Sequence, residues 1–205
     1  MITDNTEITT RARAALEGRW WWAVGGCSLY LLITFAISWL PTEPIANMSI
    51  SLLLAGPFSL GVASFALALQ ARAEAPMAKI FEGFDGAPRF AVAVGAYLLV
   101  LIFVLFWSLL LIVPGIIAAL SYAMTFWLLA EEPGLGPMRA LSRSRILMHG
   151  HRWQLFKLYL RFIGWYGLCI LTLGLGFFWV FSYQVVSVAE FYRQIQEEGR
   201  EGVRA

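Results

Sequence analysis

His149 and His151 are the only two histidines of the chain. As a His-x-His pair they offer imidazoles to a metal ion or a proton transfer. On a helix, however, positions i and i+2 face apart, and no cysteine or carboxylate nearby completes a ligand set. A partly cationic anchor beside Arg152 and Trp153 fits the pair better. Cys27 and Cys169 both lie in apolar runs. A thiol there is a small packing residue, not half of a disulfide framework. The histidines fall in a polar, basic stretch and the cysteines in apolar ones, so no Cys–His or Ser–His pair is expected. Gly164 with Gly167, and Gly174 with Gly176, lack the lysine and the strand–loop–helix setting of a phosphate loop. The sequence therefore predicts no catalytic residue, no metal site and no cofactor, and nucleic acid is not among the expected partners.

The remaining polar groups are hydroxyls and amides inside apolar stretches. Ser121 and Thr125 share a helical face, and Gly115, Ala119 and Ala123 form a small-residue stripe at the same spacing. Such stripes serve mainly as packing seams between helices. If a ligand binds among them, Ser121, Tyr122, Thr125, Tyr183 and Gln184 are the expected lining, since their hydroxyls and amides can donate and accept. No Asp, Glu, Lys, Arg or His falls at the middle of an apolar run. That counts against proton relays, ion pumps and intramembrane proteases. Glu190 comes nearest, with Arg193 at i+3 as its expected ion-pair partner.

These groups must be held by membrane-spanning helices. The chain is 60% hydrophobic and 14% charged, against roughly a quarter charged in soluble domains. Apolar runs cover 21–40, 48–70, 90–112, 115–130, 155–173 and 177–192. A run of about 20 residues, rising about 1.5 Å each, crosses a hydrocarbon core of about 30 Å. The stretch from Phe90 to Ala130 is free of Asp, Glu, Lys and Arg. As one helix it would measure about 60 Å, so it must fold back. Val113-Pro114-Gly115 is its punctuation, as Thr172 to Gly176 is for the last pair. The prediction is an all-α membrane protein of six transmembrane helices in three hairpins.

None of the 15 lysines and arginines falls in the three short turns. The positive-inside rule then makes the opposite side, with both termini, cytoplasmic. Residues 1–19 and 137–150 read as amphipathic segments along that interface, and 193–205 as a polar tail. In the second segment Arg139, Arg143 and Arg145 share an arc opposite Ala140, Leu141, Leu147 and Met148. With Arg152 and Trp153 they form the expected contact with anionic headgroups.

The pattern repeats. Arg11-Ala-Arg13 to Gly18 parallels Arg143-Ser-Arg145 to Gly150. Pro57, Ser64-Phe65-Ala66, Glu74 and Pro76 match Pro114, Ser121-Tyr122-Ala123, Glu131 and Pro133 at a constant offset, and Ser182-Tyr183 keeps part of the match. The implied unit is an amphipathic segment plus a hairpin, used three times, with a degenerate middle segment from Pro76 to Arg89.

Several stretches resemble an uncharacterised family of bacterial integral membrane proteins, domain of unknown function 975. They include Trp107-Ser108 with Pro114-Gly115-Ile116-Ile117, Ser121-Tyr122-Ala123-Met124-Thr125, Gly150-His151-Arg152-Trp153 and Phe162-Ile163-Gly164-Trp165. Leu171-Thr172-Leu173-Gly174 and Phe191-Tyr192 continue the match. Two positions depart from the pattern: Ser182 replaces a usual proline, and Arg161 a small polar residue. The resemblance implies a bacterial plasma-membrane location and no known activity. The expected function is a non-enzymatic membrane component that scaffolds a partner or handles lipid or another amphiphile. The alternative is a small uncoupled transporter or transport subunit. Expected partners are membrane lipids, and a protein partner or a second copy of the chain.

Overall fold

Uncharged segments of this length satisfy every backbone N–H and C=O internally only by coiling into helices. The computed structural model describes residues 5–39, 43–71, 77–171, 174 and 176–204, and among them all regular elements are helical. In chain order these are α1 (Asn5–Leu16), α2 (Trp20–Ser38), α3 (Pro44–Gln70), a 3-10 helix (Met77–Phe84), α4 (Ala87–Leu110), α5 (Ile112–Tyr122), α6 (Thr125–Glu131), α7 (Pro137–Leu147), α8 (Arg152–Leu171) and α9 (Phe177–Arg204). Prolines open α3, α4 and α7 at their first or second position, where the missing N–H has no partner to lose. Gly18 and Gly150 adopt φ of 77° and 89° after the matching segments α1 and α7. That left-handed turn is cheap for glycine and ends each helix.

Four helices are long and apolar enough to cross a membrane: Trp20–Ile37, Pro44–Gln70, Ala87–Leu110, and Ile112–Glu131, which joins α5 and α6. α8 is diluted by Arg152, Lys157 and Arg161 in its first half, and α9 runs on through a polar C-terminal half. The expected tail from residue 193 is thus a continuation of α9 to Arg204.

Two of the expected boundaries move. The reversal between α4 and α5 falls at Leu111, an extended residue, and not at Val113-Pro114-Gly115. Pro114 sits in the first turn of α5, where a helix needs no N–H from it. Gly115 allows close approach: a Cβ there would collide with Ser108 of α4. The expected helix 115–130 is also broken, with Ala123 and Met124 between α5 and α6. Of the expected break at 172–176, residues 172, 173 and 175 lie outside the described residues. Gly174, with φ of 83°, returns its N–H to the Cys169 carbonyl at 2.9 Å.

The repeat has a spatial counterpart. The 3-10 helix, α7 and α1 each dock against other helices of the bundle. The 3-10 helix lies on α3 so closely that a Cβ on Gly61 would strike the Ile80 carbonyl, and one on Gly83 the Pro57 backbone. α7 lies on α5 and α6, and α1 lies on α9. The first segment therefore packs on the last helix and closes the series. Their uncharged faces are spent on protein: Ile8, Ala12 and Leu16 of α1, Ala140 and Leu141 of α7, and Met148 just after it, are buried. α3 and α9 contribute to both clusters of buried apolar side chains, which meet across them.

Candidate functional site

The break between α5 and α6 gathers three of the five candidate lining residues. Interrupting a helix in an apolar setting strands backbone groups at a cost of several kcal/mol each by order of magnitude. Here Ser144 of α7 satisfies two of them at once. Its hydroxyl donates to the Ser121 carbonyl at 2.9 Å and accepts from the Met124 N–H at 3.2 Å. Thr125 Oγ1 donates to the Tyr122 carbonyl at 2.7 Å, and Ser121 Oγ to the Ile117 carbonyl at 2.5 Å. Ser121, Met124, Thr125 and Ser144 are all buried. The Ser121 and Thr125 hydroxyls are therefore committed to their own chain. Tyr122 packs its ring near Phe103, centroids 5.8 Å apart. This locus is a discontinuity stitched together by hydroxyls of the chain itself.

Gln184 lies elsewhere, at a cavity of about 240 Å³ that also touches Tyr30, Ala123, Trp127, Tyr159 and Phe181. Tyr166 donates its hydroxyl to Gln184 Oε1. Tyr183, its neighbour in sequence, points to a different space, as adjacent positions on a helix do.

That space is a cleft of about 480 Å³ between α1, the start of α2, α8 and α9, lined chiefly by Arg13, Trp20, Arg161, Trp165, Trp179 and Tyr183. Tyr183 sets its floor by donating its hydroxyl to the Thr9 carbonyl at 2.9 Å, which fixes α1 against α9. The Tyr183 ring meets Trp20 at 6.3 Å and Phe162 edge-on at 5.4 Å. Trp179 and Trp21 meet edge-on at 6.3 Å. Arg13 stands in the last turn of α1 and Arg161 in the third turn of α8. Among the described residues neither makes an ion pair, and no carboxylate lines the cleft. Trp165 and Trp179 keep 53% and 45% of their surface exposed, so the cleft opens sideways past them.

The basic arc of α7 is separate. Arg139 and Arg145 are exposed, while Arg143 pairs with Glu132 at 2.5 Å. Arg152 is half-buried. Trp153, 64% exposed, stacks on Phe156 at 5.3 Å with Lys157 Nζ 5.8 Å from its ring centre. His149 is exposed, and His151 Nε2 stands 3.8 Å from the Glu198 carboxylate. The expected Glu190–Arg193 pair does not form. Buried Glu190 accepts from Gln70 at 2.5 Å and from Gln194 at 3.3 Å, with Arg11 at 3.8 Å, and Arg193 donates to Gln70 Oε1. Glu131 accepts from Tyr192 and Gln196, both at 2.6 Å. These carboxylates tie helix ends together.

Sequence reasoning placed Tyr183 and Gln184 in one site with Ser121, Tyr122 and Thr125; the structure distributes them over three. Ser144, Arg13 and the tryptophans of the cleft were missed as site residues. The one available signal was Arg161, a cation at a position where a small polar residue is common.

Searches of curated proteins and of solved structures return no match. Residues 109–199 match the model of a family described as "Protein of unknown function (DUF975)", a similarity that runs from the tip of α4 into α9 and takes in the stitched break and the Arg161 wall of the cleft.

Proposed function

We propose that the chain is a non-enzymatic component of a bacterial plasma membrane and that it handles an amphiphile in the cleft between α1, α8 and α9. The observation that carries this reading is the cleft's lining: two unpaired guanidiniums beside three indoles, with no carboxylate, imidazole or thiol among them. Such a surface offers charge at one end and apolar contact at the other, and no acid–base pair for turnover.

In this reading the chain crosses the membrane six times as three hairpins, with both termini cytoplasmic. Support comes from the lysines and arginines, which avoid all three turn segments. The third hairpin, α8 with α9, brings Lys157 and Arg161 within snorkelling reach of the headgroups. Arg139, Arg145, Arg152 and Trp153 would then face the same cytoplasmic leaflet and add a general attraction for anionic lipid.

The helix break supports a second reading, a small uncoupled transporter, because discontinuous helices recur at transport sites. It ranks lower, since Ser144 already satisfies the freed backbone groups.

A photo-crosslinking residue at position 165 tests the proposal. Illumination of membranes holding the Trp165→p-benzoylphenylalanine variant is expected to give a lipid-mass adduct on this chain. An adduct to another polypeptide alone would favour scaffolding, and no adduct of either kind would contradict occupancy of the cleft.

A further inference from the structure

We infer that the cleft selects an anionic phospholipid, with its phosphate between Arg13 and Arg161 and its acyl chains leaving past Trp165 and Trp179. This assignment rests on the amphiphile reading of the cleft. It adds the ligand class and the residues that choose it.

The first ground is charge. Three arginines elsewhere are neutralised within the chain: Arg11 pairs with Glu7, Arg89 with Glu82 and Arg143 with Glu132, each at 2.5 Å. Arg13 and Arg161 come from different elements to one space and make no ion pair among the described residues. Both are exposed, and a lining with two guanidiniums and no carboxylate presents a positive potential that favours an anion. A guanidinium presents a planar fork of donors that matches phosphate oxygens, which an ammonium does not.

The second ground is the donor inventory. The Tyr183 hydroxyl is already donated to the Thr9 carbonyl at 2.9 Å. Thr9 Oγ1 donates to the Thr6 carbonyl at 3.0 Å, and Thr10 Oγ1 to the same carbonyl at 2.8 Å. The guanidiniums and the Trp20, Trp165 and Trp179 N–H groups are what the lining has left to donate. The polar end of the ligand must therefore be rich in acceptors. A zwitterionic headgroup would bring its own ammonium against the same two arginines.

The third ground is the walls. Trp165 and Trp179 are half exposed, and Leu168, one turn on from Trp165 in α8, is 58% exposed. Indoles at this position suit the boundary between headgroup and acyl chain. A free phosphate would leave them uncovered, so the occupant is a lipid and not a soluble anion.

Native mass spectrometry of the purified full chain, offered equimolar phosphatidylglycerol and phosphatidylcholine, provides the test. Wild type is expected to retain phosphatidylglycerol over phosphatidylcholine by about tenfold, the size of one charge-assisted hydrogen bond. R13Q/R161Q should bring the ratio to about one, while K79Q/R200Q, with the same change in net charge outside the cleft lining, should leave it unchanged. Each single variant, R13Q or R161Q, should lose part of the preference, so the test survives a double variant that fails to fold. Equal retention of both lipids by wild type overturns the anionic selection and leaves the amphiphile reading standing. Retention of neither lipid removes both. Equal loss in the K79Q/R200Q variant would make the preference a surface-charge effect and overturn the assignment. Displacement of the lipid by millimolar inorganic phosphate would turn the cleft into a soluble-anion site, with the same consequence.

Discussion

Ser144 shows how much one hydroxyl can hold in an apolar protein. Its oxygen satisfies an N–H and a C=O that the α5–α6 break would otherwise leave buried and unpaired. Ser144→Ala removes both bonds and supplies nothing in their place, a loss of about 1–3 kcal/mol. Thermal unfolding in detergent should fall clearly for Ser144→Ala and hardly for Ser142→Ala, whose side chain is exposed. Equal midpoints for the two variants would mean that the break is held by other contacts. The sequence made Ser121, Tyr122 and Thr125 visible as a polar group. It did not reveal Ser144 as their partner, because a serine's reach across to another helix leaves no local periodicity. Arg161 was legible as an oddity for the same reason that Arg13 was not legible as its companion: one helix's face can be read from its own spacing, but what stands opposite cannot.

At the scale of elements, the α4–α5 hairpin separates two roles that look alike in sequence. Pro114 occupies the first turn of α5, where its missing N–H costs little; Gly115 lets α5 approach Ser108 of α4. Pro114→Leu alone should therefore leave folded yield close to wild type, and Gly115→Ala should lower it. The reverse order, measured by size-exclusion recovery, would restore the turn to Val113-Pro114-Gly115. Four of the six expected runs coincide to within a few residues with helices long and apolar enough to cross a membrane, since length and absence of charge are what a bilayer demands. The docking of the amphipathic segments was not. Their period announces an apolar face, and either acyl chains or a helix bundle can cover it. In α7 the bundle takes that face, which leaves the arginine arc outward. Replacing Arg139, Arg143 and Arg145 with glutamine should preserve insertion and weaken binding to anionic liposomes, and wild-type binding should fall as salt rises. If the triple variant binds as wild type does, these arginines act only in setting topology.

For the whole molecule, the proposed arrangement of three hairpins has a single orientation, with the lysines and arginines on one side. Cys27 and Cys169 are buried, so single cysteines introduced elsewhere report with little background. A membrane-impermeant maleimide applied from outside should label Glu43→Cys and spare Lys79→Cys and Arg145→Cys. Labelling of the latter two without the first would invert the arrangement. In the expected arrangement α1, the first segment of the chain, packs on α9, the last, and between them, beside α8, lies the cleft. In the proposed function this cleft holds an amphiphile, and a cryo-EM density map of the chain in nanodiscs would show it. Elongated density is expected between α1, α8 and α9, with its head at Arg13 and Arg161 and its length along Trp165 and Trp179. A cleft closed by α8 packing onto α1, or one left open without such density, would contradict it.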